Sequence, residues 1–168
     1  YGAKIIPVKG SYDDAFELSI AATKKFDWYN RNTAFNPLTI EGKKTVSFEI
    51  FEQLDRQVPD RIFVPVGDGV IISGVYKGFE DLYNLGIIKS MPKVIAVQSE
   101  GSDNLIRNIH NESFEIKESQ TIADSISVDV PRNFFMAKKF IEKYLGEYLS
   151  VSDKEINEAS LLLSKETG

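Results

Sequence analysis

The residues with the most chemical promise are glycines. From Arg61 to Gly78 the chain reads Arg-Ile-Phe-Val-Pro-Val-Gly-Asp-Gly-Val-Ile-Ile-Ser-Gly-Val-Tyr-Lys-Gly. Apolar and β-branched residues lead through Pro65 into Gly67-Asp68-Gly69. Ile72, Tyr76, Phe79 and Tyr83 then recur at intervals of three and four, with Val75 and Leu82 between them. That pattern predicts a strand, a tight turn and a helix. Backbone N–H groups at such a turn lack intrahelical acceptors, and the positive end of the helix dipole adds to them. The chemistry on offer is anion binding, phosphate above all. The alternative is a plain chain reversal, with the glycines serving close helix–sheet packing.

Two sharper phosphate motifs are excluded. A dinucleotide fingerprint needs a third glycine three residues after the second, and Ile72 stands there. A P-loop running from Gly69 to Gly74 needs Lys and then Ser or Thr, but Val75-Tyr76 follows. A second polar cluster, Gln98-Ser-Glu-Gly101, ends the predicted strand Pro92–Val97. That is the sheet edge where open α/β folds bind ligands. The chain has no cysteine and one histidine, His110. Disulfides, thiolate metal sites and cysteine nucleophiles are thereby ruled out, and zinc sites and Ser-His-Asp triads disfavoured. His110, among asparagines, reads as a surface residue.

The remaining elements are legible from periodicity and caps. Lys4–Val8 predicts a short strand. Ser11 caps a helix with Asp13 and Asp14 in its first turn and a stripe of Ala15, Leu18, Ala22 and Phe26. The two acids read as dipole compensation in preference to a functional pair. Trp28–Pro37 is an aromatic, Asn-rich loop, long for a connector. Gly42–Thr45 enters a second helix, with Val46, Ile50 and Leu54 on one face and Pro59-Asp60 closing it. Gly86 caps the helix after the glycine turn. Asp103–His110 suggests a short helix, and Ser113–Gln120 a polar loop. Ser125–Val130 alternates like an edge strand. Phe134, Ala137, Ile141 and Leu145 define a helix ended by Gly146. Ser152 and Glu155 form a capping box, after which Ile156, Ala159 and Leu163 are expected to face a core.

Alternating strands and helices predict a three-layer α/β/α fold with a mainly parallel sheet. No linker divides residues 1–168. The chain has 168 residues, 42% apolar and 27% charged, with a net charge of −5. No basic run suits nucleic acid, and no apolar run is long enough to span a membrane. With no signal peptide evident before the opening strand, a cytoplasmic protein is expected. Starting at Tyr1 without Met, the sequence reads as a piece of something longer.

Several segments, taken in order, resemble the threonine synthases, pyridoxal-phosphate enzymes of the tryptophan synthase β-like fold type. They are Gly2-Ala3 ahead of a strand, Gly10-Ser-Tyr-Asp-Asp-Ala15, Asn36-Pro-Leu-Thr-Ile-Glu-Gly-Lys-Lys-Thr45, Phe48-Glu-Ile50, Gln53-Leu54, Val64-Pro-Val-Gly-Asp-Gly69, Tyr76-Lys-Gly-Phe79, Val97-Gln98 and Val151-Ser-Asp-Lys-Glu-Ile156. The resemblance implies that backbone amides of Gly67, Asp68, Gly69, Val70 and Ile71 hold the phosphate of pyridoxal 5'-phosphate. The usual family loop resembles Gly-Asn-Gly-Gly-Asn, so Asp68, Val70 and Ile71 depart from it. Asp68 brings a negative charge toward a dianion unless it points away, and Ile71 lacks a side-chain amide.

The family's Ser/Thr-Phe-Lys-Asp motif, whose lysine forms a Schiff base with the cofactor, does not occur between Tyr1 and Gly168. The resemblance therefore implies a C-terminal-half fragment without the catalytic lysine, inactive alone. It would be most of the large cofactor-binding domain, with residues 1–30 as the tail of a smaller N-terminal domain. The implied reaction converts O-phosphohomoserine and water to threonine and phosphate. The implied partners are a phosphorylated amino-acid substrate, the rest of the polypeptide and, for the full-length enzyme, a second copy. A residue near Asn36 or Lys44 is a candidate for the substrate phosphate, against a capped helix start with solvated lysines. The alternatives are a serine/threonine dehydratase or another phospho-amino-acid replacement enzyme of the same fold, or a non-catalytic anion-binding module.

Overall fold

The computed structural model describes residues 2–168. Strand β1 (Arg61–Pro65) pairs in parallel with β2 (Lys93–Ser99), and β2 in parallel with β3 (Glu147–Val151). The register runs Val64 to Ala96 and Ala96 to Tyr148. Parallel neighbours require crossovers, and a helix lies in each. The first is α4 (Val70–Asn84); the second connection carries α5 (Asn104–Arg107) and α6 (Phe134–Lys143). The predicted parallel sheet and α/β class are therefore observed.

Helix α4 sits at the centre of the core. Ile72, Val75, Tyr76, Phe79 and Leu82 are buried as the spacing predicts, against Val64, Val94 and Ala96 of the sheet and Ala137 and Ile141 of α6. Tyr83 falls off this stripe and is exposed. Gly86, at φ 70°, supplies the left-handed residue that ends the helix.

The segment before β1 departs from expectation in its boundaries. One helix was predicted from Gly42; there are two, α2 (Leu38–Lys43) and α3 (Thr45–Gln53), stepping at Lys44. The start moves to Leu38 because the Asn36 side chain accepts the Leu38 N–H at 3.0 Å. The end comes before Pro59 because Asp55 and Arg56 turn left-handed and the Arg56 N–H closes on the Phe51 carbonyl at 2.9 Å. The junction lies on α4 at two glycines one turn apart. A Cβ on Gly74 would stand 2.7 Å from the Lys43 Cβ, and one on Gly78 would collide with the Lys44 carbonyl and the Ser47 side chain.

Four further expectations are corrected. Lys4–Val8 forms no strand: Ile5 and Ile6 are exposed and no neighbouring strand pairs with them. Ser125–Val130 forms no edge strand but a 3₁₀ turn, Asp124–Ile126, and its extension. Its N–H groups go elsewhere, Ser127 to the Asp124 carbonyl and Val128 to the Ser102 hydroxyl. Leu145, expected in the core, is exposed at φ 50°, while Gly146 is required by the closeness of the Tyr76 hydroxyl. Helix α7 (Asp153–Thr167) has its capping box but buries nothing, with Leu161, Leu162 and Leu163 all at least 60% exposed. Among the described residues no helix is long and apolar enough to cross a membrane.

Candidate functional site

Where β1 runs into α4, the ladder stops and a row of donors begins. The Val66 N–H still bonds the Val97 carbonyl at 2.9 Å, and the Ser73 N–H opens the helical pattern on the Gly69 carbonyl at 3.3 Å. Between them, among the described residues, the N–H groups of residues 67–72 donate to no protein group. This turn lines a crevice of about 760 Å³ at the carboxyl end of the sheet. All five residues singled out from the sequence, Gly67, Asp68, Gly69, Val70 and Ile71, lie along it.

The glycines are there for space. Gly69 has φ 83°, and a Cβ on it would stand 3.0 Å from both the Ala137 Cβ and the Leu105 Cδ1. A Cβ on Gly67 would stand 3.2 Å from the Ile126 Cα and the Val128 Cγ2. The turn is thus pressed between α5, α6 and the 126–128 segment, which fixes the direction of its amides. Gln98 adds a brace from beneath. Its buried amide donates to the Val66 carbonyl at 2.9 Å and accepts the N–H groups of Leu105 and Ile106. The polar cluster at the end of β2 therefore serves structure at Gln98. Ser99, equally buried, donates to Asp153 at 3.2 Å.

Asp68 has both carboxylate oxygens engaged. One accepts the Tyr12 hydroxyl at 2.9 Å, the other the Arg132 backbone N–H at 3.2 Å. Burial first, then the nearby Asp68 charge, pushes the Tyr12 phenol up to about 12, so it remains a donor. Asn133 completes the clamp: its N–H bonds the Asp68 carbonyl at 3.1 Å, and its side-chain amide the Gly69 carbonyl at 3.0 Å and Ser73 Oγ at 2.8 Å.

Helix α1 (Tyr12–Phe26) is locked to the same place. Ser11 and Asp14 form its capping box, as the sequence predicts. Asp13 does more than balance a dipole: it pairs with the Arg132 guanidinium, which also reaches Glu17 at 3.1 Å and lies 4.3 Å from the Phe16 ring centroid. Sequence reasoning missed Tyr12, Arg132 and Asn133. They meet Asp68 and Gly69 from 56 to 64 positions away, and no local pattern carries that information.

The two candidates for a substrate phosphate are committed elsewhere. Lys44 bridges Asp81 at 2.7 Å and Glu41 at 2.9 Å. Asn36 is buried, bonding Tyr29, the Asn30 carbonyl and Leu38. His110 is exposed, 2.7 Å from the Tyr148 hydroxyl.

A donor-lined glycine turn at the carboxyl edge of a parallel sheet places this chain among the α/β proteins that bind ligands at that edge. The chain belongs to the family described as "Pyridoxal-phosphate dependent enzyme", whose profile matches residues 1–168. It is 39% identical to the threonine synthase of Methanocaldococcus jannaschii over 171 residues, covering all of this chain and 42% of that protein. With the threonine synthase of Methanosarcina acetivorans it shares 37% identity, again over the whole chain and 42% of the relative. The chain thus spans less than half the length of these relatives.

Two solved structures show the same fold. Serine racemase from Dictyostelium discoideum superposes with a TM-score of 0.73 at 24% identity, covering 98% of this chain and 49% of that one. Threonine synthase from Escherichia coli gives 0.69 at 16% identity, covering 89% and 36%.

Proposed function

We propose that this chain is part of a threonine synthase that converts O-phosphohomoserine and water to L-threonine and phosphate. In this reading Gly67, Asp68, Gly69, Val70 and Ile71 hold the phosphate of pyridoxal 5'-phosphate. One observation carries it: the unbroken row of free backbone N–H groups at residues 67–72, opening on a crevice at a helix N-terminus. Matches to threonine synthases over the whole of this chain, and the family's cofactor, support the chemical identity.

The bound cofactor supplies an electron sink for the amino-acid substrate. This chain's own residues hold and orient. The glycine turn gives amides without side chains in the way, and Asn133 and Gln98 fix the carbonyls behind them. Asp68 spends its charge on Tyr12 and the Arg132 N–H, which lessens its repulsion of an anion. The departure of this loop from Gly-Asn-Gly-Gly-Asn is thereby compatible with phosphate.

Residues 1–168 form most of the large cofactor-binding domain in this proposal, with 1–30 as the tail of a smaller one. The rest of a longer cytoplasmic polypeptide, active as a homodimer, supplies the covalent lysine. Turnover by the complete protein tests the substrate: O-phosphohomoserine is consumed, whereas preference for serine would favour a dehydratase. Gly69→Val in that protein tests the cradle. A β-branched residue at φ 83° with 3.0 Å neighbours displaces the phosphate and removes the cofactor's visible absorbance. An unchanged spectrum in a folded variant would place the cofactor elsewhere.

A further inference from the structure

The amides of the glycine turn have an acceptor within the turn itself. Asp68 stands in the row of free N–H groups and carries a carboxylate. The next residue, Gly69, has φ 83° and ψ 7°. Those are the angles of the third residue of a type II turn. An aspartate just before such a residue can close the turn with its own side chain, accepting the N–H two positions on. For Asp68 that N–H belongs to Val70, the first residue of α4, where the helix dipole adds its attraction. A carboxylate seated there would occupy the donors that a phosphate needs.

Asp68 is held in another place. One of its oxygens accepts the Tyr12 hydroxyl at 2.9 Å and the other the Arg132 backbone N–H at 3.2 Å. Among the described residues the Val70 N–H bonds no protein group. The Tyr12 contact is the shorter of the two, and a side chain supplies it from the far side of the crevice. Among the described residues it is the one hydrogen bond of that phenol, whose ring is half exposed. The hydroxyl therefore has Asp68 as its task. Its reach is fixed by the next residue of α1. Asp13 accepts from the Arg132 guanidinium and from the Asp129 N–H at 3.3 Å, and the same guanidinium donates to the Val130 carbonyl at 2.7 Å.

We propose that Tyr12 is a positioning residue of the cofactor site: its hydroxyl draws the Asp68 carboxylate away from the amides of the turn and keeps them open to a phosphoryl group. Without that hydroxyl, Asp68 folds onto the Val70 N–H and competes as an anion built into the chain. The inference rests on the reading of the turn as the cofactor-phosphate site, and it names what governs access to that site. The turn accommodates an acidic residue because α1 brings a donor to it.

The test uses the complete protein freed of cofactor. Dissociation constants are measured by absorbance titration for pyridoxal 5'-phosphate and for pyridoxal, which lacks only the phosphoryl group. The proteins compared are the wild type, Tyr12→Phe, Asp68→Ala, the double variant and Gly69→Val. Tyr12→Phe should weaken pyridoxal phosphate binding about three- to thirtyfold, the bias toward the closed turn that follows from losing one hydrogen bond to a carboxylate. Pyridoxal should stay within about twofold, because it makes no use of the amides. Adding Tyr12→Phe to Asp68→Ala should change neither constant by more than about twofold, since the hydroxyl then has no carboxylate to restrain.

An equal loss with and without the Asp68 carboxylate would overturn the proposal and leave Tyr12 as a support of the fold alone. So would a Tyr12→Phe protein that binds pyridoxal phosphate as the wild type does, or one that loses pyridoxal to the same extent. Gly69→Val separates this failure from that of the parent reading. If the turn holds the phosphate, Gly69→Val lowers the preference for pyridoxal phosphate over pyridoxal, whatever the Tyr12 variants do. An unchanged preference in a folded Gly69→Val protein places the phosphate elsewhere and overturns both readings.

Discussion

At the scale of single residues, Asp68 shows how an acidic side chain is accommodated in a turn of unpaired backbone N–H groups. By type it is a carboxylate in a turn built to attract negative charge. Its two oxygens, however, are taken by a phenol and a backbone N–H from distant parts of the chain. Asp68→Ala would leave both donors without an acceptor. The expected loss is about 1–3 kcal/mol in urea denaturation, toward the lower end because the site is only partly buried. Asp68→Asn keeps one acceptor and removes the charge, so it should cost less stability and tighten phosphate binding; weaker binding would contradict this account. The glycine turn and its row of free amides were legible in the sequence because the turn's geometry is local. The engagement of Asp68 was not, since its partners lie 56 and 64 residues away.

At the scale of elements, α4 organises the molecule, and its periodicity predicted five buried positions correctly. Its glycines carry a second message that periodicity does not show. Gly78→Ala would gain helix propensity in an open position, but here the new methyl meets the Lys44 carbonyl and Ser47. Overpacking should win, lowering stability by about 1–3 kcal/mol with an unchanged denaturant slope. A stabilised variant would mean that the α2–α3 junction yields easily.

The elements that were misread share one cause, dependence on a partner. Lys4–Val8 has an apolar run but nothing to pair with, and Ser125–Val130 alternates because one side faces Gly67, not because it joins a sheet. Strand β3 went unrecognised because Glu-Tyr-Leu-Ser-Val is short, half-exposed and wedged between Gly146 and a helix cap. Only the presence of β2 makes it a strand.

At the scale of the whole molecule, Asp153 ties three distant segments together. It accepts from the Thr121 hydroxyl, the Ile122 N–H at 3.1 Å and the Ser99 hydroxyl at 3.2 Å, joining the start of α7 to a loop and to the end of β2. The Thr121 bond above all, with those to Ile122 and Ser99, holds its carboxyl below the usual aspartate range. A depressed folded-state pKa contributes stability that is present above the unfolded value of about 3.9 and disappears as pH falls through the folded one. Thermal unfolding followed from pH 6 to pH 2 should therefore lose more stability in the wild type than in Asp153→Asn. Equal losses would show that the tie is not maintained in solution.

The clamp on Asp68 has a consequence for the motion of the protein. The phenol that engages this carboxylate arrives on the first turn of α1, so undocking that helix would leave one of its two oxygens without a donor beside the glycine turn. Linkage makes the effect mutual: an anion seated on the amides must favour the docked helix by the same free energy with which the docked helix favours the anion. In the proposed reading, the docking of α1 and the filling of the turn are therefore linked.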